Sequence, residues 1–234
     1  MGPIPLILLP GTLMDGAALR TIASGLVQPA QVELLGVEDA FDRELERLAT
    51  LAPQPTIWIG HSLGGIAALH LAAQRPSCCA AVVVIASNAR ADGPQGTHNR
   101  ALQWEALDRG GMAALLHEQL APVYGIAPDD PLYDALQGQA EGIGVQRFQR
   151  QLRYAAERAG LAGAASALPM PVLALSGSED PLCPPACGEE IMALSTNRLS
   201  RHTVLPGAGH LLPLQEPDWC TRQIRQFLNQ LAQG

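Results

Sequence analysis

The sequence predicts an α/β protein with a doubly wound, mostly parallel sheet of about six strands and a helical cap. Short apolar, β-branched runs alternate with longer helical patterns, as expected where helices connect parallel strands. The predicted strands are 4–9, 31–37, 56–61, 81–87, 171–176 and 202–206. From 89 to 168 the pattern changes to roughly 80 residues of helical periodicity without a strand. We therefore predict a core formed by 1–88 and 169–234, with 89–168 inserted as the cap.

The first predicted strand is the apolar run Ile4–Leu9. It is too short for a membrane span or a signal peptide, and we expect a buried strand. Pro10-Gly11-Thr12 follows it as a turn. The helices predicted around the sheet are 16–27, 40–51, 64–75, 186–195 and 217–232.

The third strand leads directly into Gly60-His61-Ser62-Leu63-Gly64, and the sequence after it is helical. A Gly-x-Ser-x-Gly between a strand and a helix is typical of a nucleophile elbow. The serine there needs a positive φ, and its neighbours two residues away must be nearly free of side chain. Ser62 is therefore the predicted nucleophile.

Two later loops carry the groups that a nucleophilic serine needs, a base and an acid. The strand 171–176 ends at Gly177-Ser178-Glu179-Asp180, and the strand 202–206 is followed by Gly207-Ala208-Gly209-His210. Among the six histidines, only His210 follows a Gly-Ala-Gly loop that lets the backbone bend towards the serine. Asp180 is the preferred acid, while Glu179 and Asp92, which follows the fourth strand, remain alternatives.

In this order the motifs resemble the α/β-hydrolase family, in particular small serine esterases, over nearly the whole chain. Leu8-Leu9-Pro10-Gly11-Thr12 is similar to the family's oxyanion loop, although Pro10 stands where His is common. The resemblance implies a Ser62–Asp180–His210 triad and oxyanion donors at the backbone N–H groups of Leu63 and Thr12, with Leu13 as a fallback. The family's N-terminal hairpin is expected to be absent, because the oxyanion loop already begins at residue 10.

The resemblance also places the cap over the serine, where it shapes the substrate pocket. Cap helices are predicted near 97–109, 111–121, 130–140 and 144–159. In the last helix, one apolar stripe is predicted to pack inwards, with Tyr154 among the arginines on the other side; the stripe is Phe148, Leu152, Ala155 and Ala159. An arginine whose side chain turns towards the pocket can donate hydrogen bonds to both oxygens of a substrate carboxylate. The candidates are Arg100, Arg147, Arg150 and Arg158.

The composition favours an enzyme that acts on small molecules. Hydrophobic residues make up 47% of the 234 residues, and the formal net charge is −7 without a basic run. A nucleic-acid partner and a membrane partner are therefore not expected. The five cysteines include the adjacent pair Cys78-Cys79, which favours reduced thiols and a cytoplasmic location. Neither a metal nor an organic cofactor is expected.

These observations lead to the hypothesis of a serine hydrolase that cleaves a small carboxylic ester, lactone or thioester through an acyl-enzyme on Ser62. The family members that the chain most resembles are carboxylesterases, pimeloyl-carrier-protein methyl esterases and enol-lactone hydrolases. One alternative is a lyase or C–C bond-cleaving enzyme in which the same triad abstracts a proton. A non-catalytic receptor on the same fold is a further alternative, and it is disfavoured because all three triad residues are present.

Overall fold

The structure of the protein is a computed structural model that describes residues 3–162 and 166–233. In these residues the sheet has six parallel strands. The strands are β1 Leu6–Leu9, β2 Ala30–Val32, β3 Thr56–His61, β4 Cys79–Ile85, β5 Val172–Gly177 and β6 Arg201–Leu205. Their order in the sheet is β2-β1-β3-β4-β5-β6, and every neighbouring pair is parallel. The predicted fold class is therefore confirmed.

Helices connect these strands and cover both faces of the sheet. They are α1 Ala17–Ser24, α2 Phe41–Thr50, α3 Leu63–Gln74, α4 Pro94–Leu115, α5 Ala121–Tyr124, α6 Pro131–Glu157, α7 Pro185–Leu194, α8 Leu212–Gln215 and α9 Pro217–Leu231. A π-helical turn, Leu116–Leu120, joins α4 to α5, and a 3₁₀ turn, Pro76–Cys78, precedes β4.

Alternate residues of the central strands enter two separate apolar clusters. Ile7 and Leu9 of β1 lie in the cluster shared with α2, α3 and α7, whereas Leu6 and Leu8 lie in the cluster shared with α1 and α9. Because both faces are covered, β1, β3, β4 and β5 are continuous apolar runs rather than alternating ones. This continuity made them recognisable in the sequence.

The second predicted strand, 31–37, is wrong beyond residue 32. The buried carboxylate of Glu44 accepts hydrogen bonds from the backbone N–H groups of Val37 (3.2 Å) and Glu38 (2.9 Å). Those N–H groups are therefore not available to a strand partner. Gly36, with φ of +94°, bends the chain just before them. The result is a loop that is held from inside the molecule.

The cap is built from α4, the π-helical turn, α5 and α6, and its helices break where the sequence pattern predicts. Non-helical backbone angles occur at Gly110 and Gly111 inside α4 and at Gly144 inside α6. The boundaries of core and cap stay a prediction, and residues 1–2, 163–165 and 234 of the predicted ranges lie outside the described residues.

The predicted stripe of α6 is largely buried, but two of its details are wrong. Phe148, Leu152 and Ala155 are buried, whereas Ala159 is exposed because the helix ends at Glu157. Tyr154 is also buried rather than on the polar face, because its hydroxyl has acceptors inside the molecule, the backbone carbonyl of Glu38 and the Glu44 carboxylate (3.0 Å). A single hydroxyl thus places an aromatic ring in the interior on a side of the helix that otherwise carries arginines.

The strand order reverses at β1, since β2 lies on one side of it and β3 on the other. In open parallel sheets, ligands bind beyond the carboxyl ends of the strands at such a switch point. The loop after β1 and the turn after β3 both lie at this edge. A third apolar cluster covers it, in which Leu13 and Leu211 of the core meet cap residues such as Phe148 and Leu152.

Candidate active site

Ser62 occupies a sharp turn between β3 and α3. Its φ of 49° and ψ of −117° are strained for a residue with a side chain, and it stands directly before the first helical residue. A Cβ atom at Gly60 would lie 2.3 Å from the carbonyl oxygen of Gly64, so the turn closes only with glycine there. The backbone thus has the elbow geometry that the Gly-x-Ser-x-Gly pattern predicts.

The structure brings Ser62, His210 and Asp180 into one hydrogen-bonded chain. The distance from His210 Nε2 to Ser62 Oγ is 3.0 Å, and the distance from His210 Nδ1 to Asp180 Oδ2 is 2.9 Å. His210 and Asp180 are buried, whereas Ser62 is partly exposed. With Asp180 ionised, Nδ1–H donates to the carboxylate and Nε2 is left to accept the serine proton.

The surroundings of Asp180 keep it ionised. Its Oδ1 accepts the backbone N–H groups of Leu182 (2.8 Å) and Cys183 (2.9 Å). Burial acts to raise the pKa of Asp180, but the hydrogen bond and charge of His210 and these two N–H groups outweigh it and lower the pKa. The carboxylate is therefore available to orient the imidazole.

The two alternative acids lie elsewhere. Glu179 is exposed. The carboxylate of Asp92 forms a bidentate ion pair with Arg100, with an Nε to Oδ2 distance of 2.8 Å, and lies 3.6 Å from the guanidinium of Arg158. Of the three carboxylates considered from the sequence, Asp180 is the one hydrogen-bonded to His210.

The oxyanion loop lies against the nucleophile. A Cβ atom at Gly11 would stand 3.1 Å from Ser62 Cβ and 2.7 Å from His61 Nδ1, so the backbone of this loop passes very close to the serine. Leu63 is the first residue of α3, and its N–H has no acceptor within the helix. In the described part of the chain, the N–H of Thr12 also donates to no protein group.

Leu13, the fallback donor, does not fit that role. Its N–H donates to the side-chain oxygen of Gln151 on α6 (3.1 Å), and its side chain is buried in the cap cluster. An N–H that is already bonded to an amide oxygen is not available to an oxyanion. The two backbone donors that remain are Leu63 and Thr12.

Two aromatic side chains beside His210 were not predicted as parts of the site, although one of them, His61, lies within the elbow motif. The Nε2–H of His61 donates to the backbone carbonyl of His210 (3.0 Å), and the two rings are 5.3 Å apart. Burial and the nearby His210 lower the pKa of His61 to about 3, despite the opposing effects of its hydrogen bond and of Asp180. Tyr124, on the cap helix α5, stacks on His210 with ring centroids 5.7 Å apart and planes 7° apart.

Within the described part of the chain, none of the four candidate arginines forms an ion pair or hydrogen bond with a triad residue. Arg100 and Arg158 are engaged by Asp92, so the structure does not support them as carboxylate ligands for a substrate. Arg150 pairs with the exposed Asp39 (3.0 Å). Arg147 and Arg150 line an open cleft of about 520 Å³ whose lining contains no triad residue.

Asp180, Cys183 and His210 place three potential metal-ligating atoms within 4.8 Å of one another. The hydrogen bond with Cys187, burial and the charge of Asp180 raise the pKa of Cys183 well above its usual value. A protonated thiol is a poor metal ligand, and the Asp180 and His210 atoms already bond to each other. The donor set therefore disfavours a metal at this place.

All five cysteines of the chain lie in the described region, and each is a free thiol there. Among the described residues, no helix combines the length and apolar character that a bilayer crossing requires. The first observation agrees with the expected reduced thiols, while the cellular location stays a prediction.

Comparison with known proteins places the geometry in context. The profile of the alpha/beta hydrolase family matches residues 9–223. No curated protein sequence matches the chain. Similar solved structures include a thermophilic esterase from Thermogutta terrifontis with malate bound, which is 22% identical, with a TM-score of 0.79 and coverage of 99% of this chain and 92% of the esterase.

Two further structures show the same fold at lower identity. The enol-lactonase from Burkholderia xenovorans LB400 is 17% identical, with a TM-score of 0.82, and the match covers 98% of this chain and 92% of the enol-lactonase. A structure from work on the carboxylesterases of Nitrososphaera gargenis is 18% identical, with a TM-score of 0.76, and the match covers 99% of this chain and 92% of that protein.

Proposed function

The chain belongs to the alpha/beta hydrolase family, and we propose that it is a serine hydrolase that cleaves a small carboxylic ester through an acyl-enzyme on Ser62. The observation that carries this proposal is the continuous contact from Ser62 Oγ through His210 to the Asp180 carboxylate. This arrangement activates a hydroxyl as a nucleophile, which favours catalysis over a purely binding role.

The proposed reaction starts when His210 Nε2 takes the proton of Ser62 as its oxygen attacks the ester carbonyl carbon. The carbonyl electrons move to oxygen, and the N–H groups of Leu63 and Thr12 stabilise the resulting oxyanion. His210 then gives its proton to the leaving alcohol as the C–O bond breaks. Water, deprotonated by His210, attacks the acyl-enzyme in the same way and releases the acid and free Ser62.

The apolar cluster that the site loops share with the cap supports an apolar acyl group. Leu13 and Leu211 of the site loops pack with Phe148 and Leu152 of the cap in one apolar cluster. Two of the four arginines that we considered as carboxylate ligands are already paired with Asp92. A neutral ester is therefore the favoured substrate, and recognition of a dicarboxylic half-ester stays a prediction that involves Arg147 or Arg150.

The test is a turnover screen with p-nitrophenyl esters of increasing acyl length, a lactone, a thioester and a matched pair of neutral and acidic esters. We expect neutral ester turnover that Ser62→Ala abolishes while circular dichroism stays unchanged. Equal or higher kcat/KM for the acidic ester would contradict the neutral preference.

The same screen separates the alternatives. Absence of turnover on every substrate would contradict the hydrolase proposal and favour a receptor. Activity on the best substrate that survives Ser62→Ala would instead favour proton abstraction by His210 without an acyl-enzyme.

A further inference from the structure

The oxyanion loop contains a strained residue immediately after its donor. Leu13 has a φ of 65°, in the left-handed region that residues with a side chain rarely adopt. The adjacent N–H of Met14 donates to the carbonyl of Gly11 (3.2 Å), which closes a tight turn around Thr12. A strained turn of this kind persists when surrounding groups hold it in place.

Gln151 of the cap helix α6 makes the contact that holds Leu13. This side chain is 1% exposed, and its Oε1 accepts the N–H of Leu13 (3.1 Å). Its Nε2 donates to the backbone carbonyl of Leu35 (3.1 Å) in the loop after β2. Both ends of the amide are paired correctly, so the orientation of the amide is determined by its neighbours.

A second glutamine of α6 supports the same loop. Gln139 is 8% exposed, and its Oε1 accepts the N–H of Asp15 (3.3 Å). The two glutamines lie on opposite sides of the helix break at Gly144. Each half of α6 therefore contacts the backbone of the oxyanion loop through one buried amide.

We propose that Gln151 is a positioning residue for the oxyanion hole, and this inference rests on the hydrolase function proposed above. By holding the N–H of Leu13, it keeps the turn in the conformation that aims the neighbouring N–H of Thr12 at the attacked carbonyl. Without this contact, Leu13 relaxes towards negative φ and the Thr12–Leu13 peptide turns. The turn closed by Gly11 and Met14 then opens, and the preceding Gly11–Thr12 peptide, which carries the Thr12 N–H, shifts with it. The cap thereby takes part in catalysis through the loop as well as in shaping the pocket.

The size of the effect follows from the donor that is displaced. Removal of one oxyanion donor lowers kcat by about 10²–10³-fold in serine hydrolases. Here the donor is moved and not removed, so we expect kcat of Gln151→Leu to fall by roughly 10–100-fold while KM changes by less than about 3-fold.

A paired substrate separates positioning from a general structural effect. In a thionoester, the carbonyl oxygen is replaced by sulfur, which is a weak hydrogen-bond acceptor. A well-formed oxyanion hole therefore favours the ester over the thionoester. We expect Gln151→Leu to lower the ester-to-thionoester ratio of kcat by roughly 10-fold, since the ester alone loses a strong hydrogen bond.

The control is Gln146→Leu, the same replacement at an exposed position of the same helix, and it should leave kcat and the ratio unchanged. Gln151→Glu keeps an acceptor for Leu13 and should retain more of the ratio than Gln151→Leu. If Gln151→Leu does not fold, Gln151→Asn takes its place; its amide is one methylene shorter and is expected to lower the ratio in the same direction.

An unchanged ratio in a folded Gln151 variant would overturn the proposal, even if kcat falls, because the loss would then affect both substrates equally. Failure of the hydrolase function looks different. In that case the wild-type protein shows no ester turnover that depends on Ser62, and no ratio exists to compare.

Discussion

The carboxyl edge of the sheet and the cap contribute to the same site by different physical means. At the sheet edge, local backbone requirements place the groups: Ser62 needs its elbow, and Gly11 allows the loop to approach it. In the cap, single side chains reach across the molecule, as Gln151 does to Leu13 and Tyr124 does to His210. On the function proposed here, the reacting groups belong to the core, and side chains of the cap align them.

The largest expected effect tests whether the core groups act as one unit. Ser62→Ala and His210→Ala should each lower kcat on the best ester by on the order of 10⁴–10⁶-fold. The double variant should be little worse than either single variant, because the serine is not activated without the histidine. Single-turnover kinetics on the four proteins checks this. Losses that multiply would show that the two groups act independently.

The next prediction compares a core carboxylate with a cap carboxylate. Asp180→Asn should lower kcat by about 10²–10⁴-fold, because an amide at this position favours the wrong tautomer of His210. Asp92→Asn should leave kcat within a few-fold of wild type, since its carboxylate contacts Arg100 and Arg158. Steady-state kinetics and urea unfolding are measured on both variants. A large loss of kcat in Asp92→Asn with normal stability would show that the triad acid is Asp92, after the earlier strand, and not Asp180.

Tyr124 supplies a smaller test of the cap. Aromatic contacts of this kind contribute about 0.5–1.5 kcal/mol, so Tyr124→Ala should lower kcat by roughly 2–10-fold. Tyr124→Phe keeps the ring on His210 and should remain within about 2-fold of wild type. If the Phe variant lost as much activity as the Ala variant, the hydroxyl would be the important group and the stacking argument would be wrong.

The last prediction concerns the pH dependence of stability and not turnover. The pKa of His61 is about 3 in the folded protein and about 6.5 in an unfolded chain. Between these values the unfolded state binds more protons, so the free energy of unfolding falls as the pH drops from about 6.5 towards 3. His61→Gln keeps a donor for the His210 carbonyl and does not titrate. Urea unfolding at pH 7 and pH 4.5 should show a smaller difference for this variant than for wild type, and an equal difference would contradict this role of His61.

The sequence was sufficient for the sheet, apart from the extent of its second strand, and for the three side chains that meet in the site. Apolar runs mark β1, β3, β4 and β5 because these strands are buried on both faces. Ser62 and Gly60 are recognisable since a strained turn tolerates few residue types. The helix breaks of the cap were also predictable, because Gly111 and Gly144 adopt positive φ.

Long-range side-chain contacts were not predictable from local pattern. The prediction that the second strand continues beyond residue 32 was wrong, because Glu44 of α2 binds the backbone of the loop that follows β2. Tyr154 and Gln151 are polar residues on a helix with arginines, and their burial depends on partners more than 100 positions away. The pairing of Arg100 and Arg158 with Asp92 likewise has no signature in spacing.

The most direct test of the central claim is covalent labelling by an organophosphonate, followed by peptide mass spectrometry. We expect one adduct per chain, located on Ser62, absent in Ser62→Ala and formed much more slowly in His210→Ala. Absence of an adduct on Ser62 under conditions in which the wild-type protein hydrolyses esters, or labelling at equal rate in His210→Ala, would contradict the proposed role of Ser62 as the activated nucleophile.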